Sequence, residues 1–170
     1  MDPRPGVLDI ELAHCSIART LELVGEKWTL LVLRDAFNGV RRFDDLHRRI
    51  GAPRQVLSQR LGRLVDVGLL RRVPYREPGQ RTRYEYRLTE AGLDLYPILV
   101  ALLSWGDRYR PNPEGPAVEL THRGCGEPVS LALRCASGHE LASAREVRPR
   151  PGAAARTGPG PAALTGTSAG

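Results

Sequence analysis

A mainly helical α+β fold with one small β-hairpin is the class predicted by this 170-residue sequence, on three observations. Apolar residues recur at helical spacing in several stretches between Cys15 and Tyr109. Two β-prone runs, Leu69 to Tyr75 and Thr82 to Leu88, stand between the last two of those stretches and flank a Pro-Gly turn. Basic charge is concentrated in the same central region: residues 41–87 hold thirteen Lys/Arg against five Asp/Glu, a local +8 in a chain of net +6. With 41% hydrophobic and 26% charged residues, the chain is expected to form one domain with a real core plus appendages.

Residues 1–14 begin with Pro and Gly and are expected to be a flexible N-terminal arm. From Cys15 a helix is predicted with Ile17, Ala18, Leu21 and Val24 on one side and Gly25 as its stop. A second helix places Trp28, Leu31, Val32 and Ala36 toward a core, and Asn38-Gly39 marks a turn. Val40 to Arg42 is read as a short strand before a third helix, Phe43 to Ile50, with Phe43, Leu46 and Ile50 on one face. Gly51-Ala52-Pro53 connects tightly into a fourth helix, Pro53 to Gly68, where Leu57, Leu61 and Leu64 form the buried stripe. Pro suits a first helical turn and Gly a stop.

Two amphipathic helices joined by so short a turn match a helix-turn-helix, although generic helical hairpins share the pattern. The following hairpin, in which Tyr84, Tyr86 and Leu88 alternate with Arg83, Glu85 and Arg87, carries a basic tip at residues 76–81. Together they predict a winged helix-turn-helix. Thr89 is the expected N-cap of a last long helix running toward Tyr109, which Pro97 should kink or interrupt. Leu95, Leu99, Leu102, Leu103 and Trp105 give this helix more apolar surface than a small winged domain needs, so N- and C-terminal helices are expected to dimerise the chain. The helical and winged part is assigned to residues 15–110 and a linker to residues 111–117. A small Cys/His-containing extension follows at residues 118–147. A disordered tail of Gly, Ala, Pro and Thr is expected at residues 148–170.

Three cysteines, Cys15, Cys125 and Cys135, make no dense disulfide pattern. The N-terminal stretch lacks a basic segment followed by an apolar run, and nowhere do eighteen unbroken apolar residues occur, so a reducing cytoplasm and no membrane partner are expected. Cys15 lies at a predicted helix N-terminus, where backbone N–H groups and the dipole favour the thiolate, with His14 and Arg19 as neighbours that could assist. The bland alternative is a small inert residue packed at an interface. His122-x-x-Cys125 followed by Cys135-x-x-x-His139 offers two His and two Cys for a structural zinc; a Cys125–Cys135 disulfide, or no site, competes with it. No Gly-rich phosphate loop or HExxH motif is present, and no other cofactor is required by anything in the sequence.

The run from Cys15 through Trp28 to Arg34 resembles the opening of HxlR-type transcriptional regulators. Arg42-Phe43-Asp44-Asp45-Leu46, Val56-Leu57-Ser58-Gln59-Arg60-Leu61 and Tyr84 through Thr89-Glu90 to Gly92 resemble their next two helices and the wing strand with the following helix start. The resemblance spans Cys15 to Trp105. It implies a winged-helix dimer that binds operator DNA, often as a repressor, and some members respond to oxidants or reactive electrophiles through a cysteine where Cys15 stands. The core holds no second cysteine, which puts an intradomain disulfide switch in doubt.

The expected function is therefore a sequence-specific, non-enzymatic DNA-binding regulator, a homodimeric repressor on a palindromic operator in double-stranded DNA. Arg54, Gln55, Ser58 and Gln59 are the candidates for base edges or nearby phosphates, and Arg63 for a phosphate. Wing residues Arg76, Gln80, Arg81 and Arg83 are assigned to phosphate or minor groove. The competing classes are a thiol peroxidase-like enzyme built on Cys15 and a protein-interaction module that uses the fold without DNA. The first lacks a resolving cysteine and an acid-base cluster.

Overall fold

The computed structural model describes residues 10–153 and residue 155. Residues 23–132 form one compact unit; the second is drawn from residues 1–22 and 133–170. Helices α1 (Ser16–Val24), α2 (Lys27–Phe37), α3 (Phe43–Ile50) and α4 (Arg54–Asp66) are followed by strands β1 (Leu70–Tyr75) and β2 (Arg83–Leu88), then α5 (Glu90–Leu93) and α6 (Tyr96–Tyr109). This is a winged helix-turn-helix, the predicted α+β class.

Helix α2 is central to the unit of residues 23–132, packing against α3, α4, β2 and α6. Its Val32 and Leu33 are buried with Leu57, Leu61 and Leu64 of α4, as the four-then-three spacing of those leucines requires. Leu46 of α3 and Leu70 of β1 are buried in the same core cluster. Between α3 and α4 the chain turns at Gly51, whose φ of +71° suits glycine and whose N–H donates to His47 O at 3.0 Å. Pro53 stands just before α4, one residue earlier than expected, and α4 closes through Gly68 with φ +74° and Leu69 N–H donating to Leu64 O at 2.9 Å. That closure delivers the chain straight into β1.

The strands pair antiparallel from Leu70 opposite Leu88 to Tyr75 opposite Arg83. Tyr86 and Leu88 rest on the core while Tyr84 is 51% exposed, so the inward face of β2 is covered at its base and open toward the tip. The short strand expected at Val40 to Arg42 contracts to one bridge, Arg42 opposite Glu85, with Tyr86 N–H donating to Arg41 O at 2.8 Å. The Asn38-Gly39 turn and the start of α3 at Phe43 leave too few residues for more.

Thr89 ties the wing back to the helix-turn-helix. Its hydroxyl donates to Gly68 O at 2.6 Å and accepts from Gly92 N–H at 3.1 Å, the cap expected from the sequence. Gly92 is packed so closely there that a Cβ would fall 2.2 Å from Leu69 O. The single long helix expected after Thr89 is in fact two. The break falls at Asp94 and Leu95, and Pro97 lies in the first turn of α6, where a missing N–H has no helical partner to lose. Pro97 therefore starts a helix instead of kinking one.

Burial adds to the helical faces in two places what spacing does not report. Ile17 and Leu21 of α1 are 72% and 56% exposed, and Val24 is the buried residue of that helix. Leu95, just before α6, and Leu99 within it, counted as surplus from the sequence, pack on the core. Periodicity reports which residues share a face but not what covers it.

Among the described residues, no helix is long and apolar enough to cross a membrane. Beyond α6, residues 111–132 are irregular apart from a bridge between Thr121 and Pro128. In the second unit Arg134 bridges Glu140, and a 3-10 turn spans Ala144–Glu146. Within the expected flexible arm, Leu12–His14 forms another 3-10 turn, while residues 1–9 lie outside the described residues. So does most of the expected disordered tail, residues 154 and 156–170.

Candidate nucleic-acid interface

Helix α4 buries one face and leaves the other in solvent. Arg54, Gln55, Ser58, Gln59 and Arg63 are all exposed, opposite the stripe of Leu57, Leu61 and Leu64. Gln55, Ser58 and Gln59 carry no side-chain hydrogen bond to another described residue, so their donors and acceptors are open to a ligand.

Arg54 is already engaged. Its Nη2 donates to Asp44 Oδ1 of α3 at 3.0 Å, and its guanidinium lies 4.9 Å from the centre of the Phe43 ring. The other oxygen of Asp44 is 3.9 Å from Arg83 Nη1 on β2. One carboxylate thus joins the first turn of α3, the first residue of α4 and the wing, a link between positions far apart in sequence. At the wing tip Arg76 Nε donates to Gln80 O at 3.0 Å, which shapes the turn, and Gln80 and Arg81 are exposed.

Four arginines that sequence reasoning did not single out join this basic surface. Arg41, Arg42, Arg48 and Arg49 line a hollow of about 440 Å³ together with Asp45 and Glu85. Arg42 Nη1 donates to Glu77 Oε1 at 2.8 Å, its Nε is 3.8 Å from Glu85, and its guanidinium lies 4.4 Å from the centre of the Tyr75 ring. Desolvation would lower the Arg42 pKa, but Tyr75, Glu77 and Glu85 outweigh it and hold it above the ordinary value. Arg48 pairs with Asp45, and Arg49 Nε is 3.6 Å from the buried Asp35 Oδ2. The two Arg-Arg pairs were visible only as contributions to the +8 of residues 41–87. Their grouping depends on the segment just before α3 pairing with β2, Arg42 opposite Glu85.

Cys15 stands where expected, immediately before α1, with its carbonyl accepting from Arg19 N–H at 3.1 Å. It is a partly buried free thiol. The assistance expected from its neighbours is not seen: His14 Nε2 is 3.6 Å from Glu11, and Arg19 Nη2 donates to Ser16 Oγ at 3.2 Å. Both donors are turned to other acceptors, the Glu11 carboxylate and the Ser16 hydroxyl oxygen.

The Cys/His extension is organised as two local pairs. His122 Nδ1 is 3.2 Å from Cys125 Sγ in one unit, and Cys135 Sγ is 3.5 Å from His139 Nδ1 in the other. Each pair is folded by a tight turn, Gly126 N–H donating to His122 O and Gly138 N–H to Cys135 O. Both thiols are free, so the Cys125–Cys135 disulfide is not formed. Among the described residues, no group of three or more His, Cys, Asp or Glu is arranged to hold a metal ion.

Comparison with known proteins agrees with this architecture. The model of the HxlR-like helix-turn-helix family matches residues 23–114. A curated relative, an uncharacterised HTH-type transcriptional regulator of Mycobacterium tuberculosis, is 55% identical over 137 residues, covering 81% of this chain and 85% of its own. The crystal structure of a candidate transcription factor superposes with a TM-score of 0.70 at 38% identity, covering 80% of this chain and 94% of that one. The redox regulator HypR in its reduced form gives a TM-score of 0.52 at 28% identity over 56% of this chain and 94% of that one. The match to the family model, the similar curated relative and the α3-turn-α4 geometry with its hairpin agree that the chain belongs to the HxlR-like helix-turn-helix family.

Proposed function

We propose that this transcriptional regulator is a homodimeric repressor that binds a palindromic operator in double-stranded DNA, acting in the cytoplasm. The observation that carries the reading is the outward face of α4, where Gln55, Ser58 and Gln59 are exposed and have no side-chain partner among the described residues, beside an arginine-bearing wing. Gln is suited to a bidentate contact with adenine, and Ser to either base or phosphate. Arg54 and Arg63 flank these residues on α4. Arg76, Gln80, Arg81 and Arg83 extend the contact to phosphate or minor groove, where they add affinity without reading sequence.

Dimerisation is supported by the apolar side chains left in solvent. On α6 Ile98, Leu102, Trp105 and Tyr109 recur at helical spacing and are exposed, and Ile17 and Leu21 do the same on α1. A two-fold pairing through such helices would set two copies of α4 against two half-sites.

Fluorescence anisotropy with the DNA upstream of neighbouring genes tests the division of labour. Arg81→Ala should weaken binding to operator and random DNA alike and flatten the slope of log K against log salt by about one unit. Gln59→Ala should change which sequence wins, by roughly 1–3 kcal/mol for a bidentate contact. Equal effects of both variants on both DNAs would overturn the assignment. A salt-independent affinity, or no DNA binding at all, would favour the protein-interaction module.

Control through Cys15 is one candidate for release, supported by its place at the entry to α1 and by similarity to a redox regulator. Peroxide would transfer one oxygen atom to the thiolate, leaving a sulfenate and water. Operator binding by Cys15→Ser that still falls after oxidant treatment would sink it, and catalytic turnover of peroxide would point to the thiol-enzyme alternative. Structural zinc binding by the His122/Cys125 pair or by the Cys135/His139 pair rests on donor chemistry, one imidazole and one thiol in each local pair. Less than half a zinc per chain in reduced protein would reject it.

A further inference from the structure

A cavity of about 310 Å³ lies beside α2 and α6, outside the surface that carries the proposed DNA contacts. Val118 and Leu120, from the chain beyond α6, line its third side. Leu31, Phe37, Tyr96, Leu99, Leu103 and Leu120 supply its apolar walls, and Phe37 and Tyr96 form an aromatic pair with centroids 4.9 Å apart. Arg34 and Asn38 are its cationic and amide members, and among the described residues no carboxylate lines it. An apolar chamber with a guanidinium and an amide suits an amphipathic small molecule that ends in an anion, and its size lies at the lower end of the roughly 300–1,000 Å³ usual for such sites.

Arg34 is also wired to the helix-turn-helix. Its Nε donates to Asp35 Oδ1 at 3.0 Å, and Asp35 is fully buried. Among the described residues the other oxygen, Oδ2, has no hydrogen-bond partner, and Arg49 Nε of α3 lies 3.6 Å from it. A buried carboxylate held by one good hydrogen bond and one long ion pair responds to a change in either arginine.

We propose that this cavity binds a small aromatic acid whose carboxylate is taken by Arg34, and that the bound anion shifts Asp35 from Arg34 toward Arg49 and so moves α3. Binding of the acid stands on the cavity alone; its effect on DNA rests on the regulator reading. The ligand class follows from the walls and the charge: a one- or two-ring apolar body for the leucines and the Phe37–Tyr96 pair, and one anionic group for Arg34. The site is distinct from Cys15 and needs no covalent step.

The probe is 2-naphthoate, with uncharged 2-naphthamide as its isosteric control, titrated calorimetrically into the full chain without DNA. The expected result is one site per chain and at least tenfold tighter binding of the acid than of the amide. Arg34→Gln should remove that preference, and Leu103→Trp or Leu120→Trp, which fill the cavity from two different segments, should abolish binding of both while the melting temperature is retained. No heat up to millimolar acid, or binding unchanged in both Trp variants, overturns the site. Acid-dependent dissociation of a dimer with less than one acid per chain also overturns it, since the occupant would then be a second copy. In the operator assay the acid should weaken DNA binding by wild type and not by Leu103→Trp; binding of the acid with unchanged operator affinity overturns the link to α3. Because calorimetry is done without DNA, a protein that takes the acid but binds no operator refutes the regulator reading and upholds the site.

Discussion

Replacing Asp44 by Asn should make DNA binding stronger and more sensitive to salt, although it removes two ion pairs. Asp44 is 63% exposed; its pairs with Arg54 at 3.0 Å and Arg83 at 3.9 Å are solvent-screened, and each contributes about 0–1 kcal/mol to the fold. The melting temperature should therefore move little. At the interface the consequence is larger: a negative charge disappears between two arginines assigned to the DNA, and both guanidinium groups become free for phosphates. Each added phosphate contact steepens log K against log salt by about 0.9, so two contribute about 1.8. Raising salt from 50 to 200 mM should then shrink the variant's affinity advantage by about 3-fold for one freed contact and about 12-fold for two. Fluorescence anisotropy with operator and random duplexes at four salt concentrations reads this directly. An unchanged or shallower slope on both duplexes would show that Asp44 positions these arginines for DNA instead of restraining them, and the reasoning would fail.

Three further predictions concern the scaffold. Gly92→Ala places a Cβ 2.2 Å from the backbone oxygen of Leu69, which cannot swing aside, so the denaturation midpoint should fall by an amount equivalent to about 1–3 kcal/mol; an unshifted midpoint would mean the Thr89–Gly92 junction is looser than described. Leu61→Ala removes a fully buried side chain from under α4 and should cost about 2–5 kcal/mol by equilibrium denaturation, while a loss below 1 kcal/mol would argue that the core collapses to fill the space. Trp105→Glu, at a residue 57% exposed, should leave the melting temperature of the chain nearly unchanged and convert a dimer to a monomer in sedimentation velocity; a persistent dimer would exclude this face of α6 from the interface.

Local signals were read well where one segment contains the whole cause. The range of α3 and the cap at Thr89 agree with the sequence, because spacing and capping chemistry act within a few residues. The error at Pro97 has an equally local origin: proline is excluded from a helix interior but welcome in a first turn, and periodicity alone did not locate the break before it. The exposed stripe of α1 and the burial of Leu95 and Leu99 were not legible, since a face's neighbours lie elsewhere in the chain.

The same contrast holds at the candidate interface. From the sequence alone came the helix-turn-helix with its wing, the exposed Gln55, Ser58 and Gln59 opposite three buried leucines, and the concentration of charge in residues 41–87. These depend on periodicity and composition. Tertiary structure alone decided that Asp44 joins Arg54 to Arg83, that Arg42 is shared by Glu77 and Glu85, that buried Asp35 lies between Arg34 and Arg49, and that a cavity opens beside α2 and α6. Each joins side chains from different elements, and Coulomb attraction and packing act through space at distances that order along the chain does not encode.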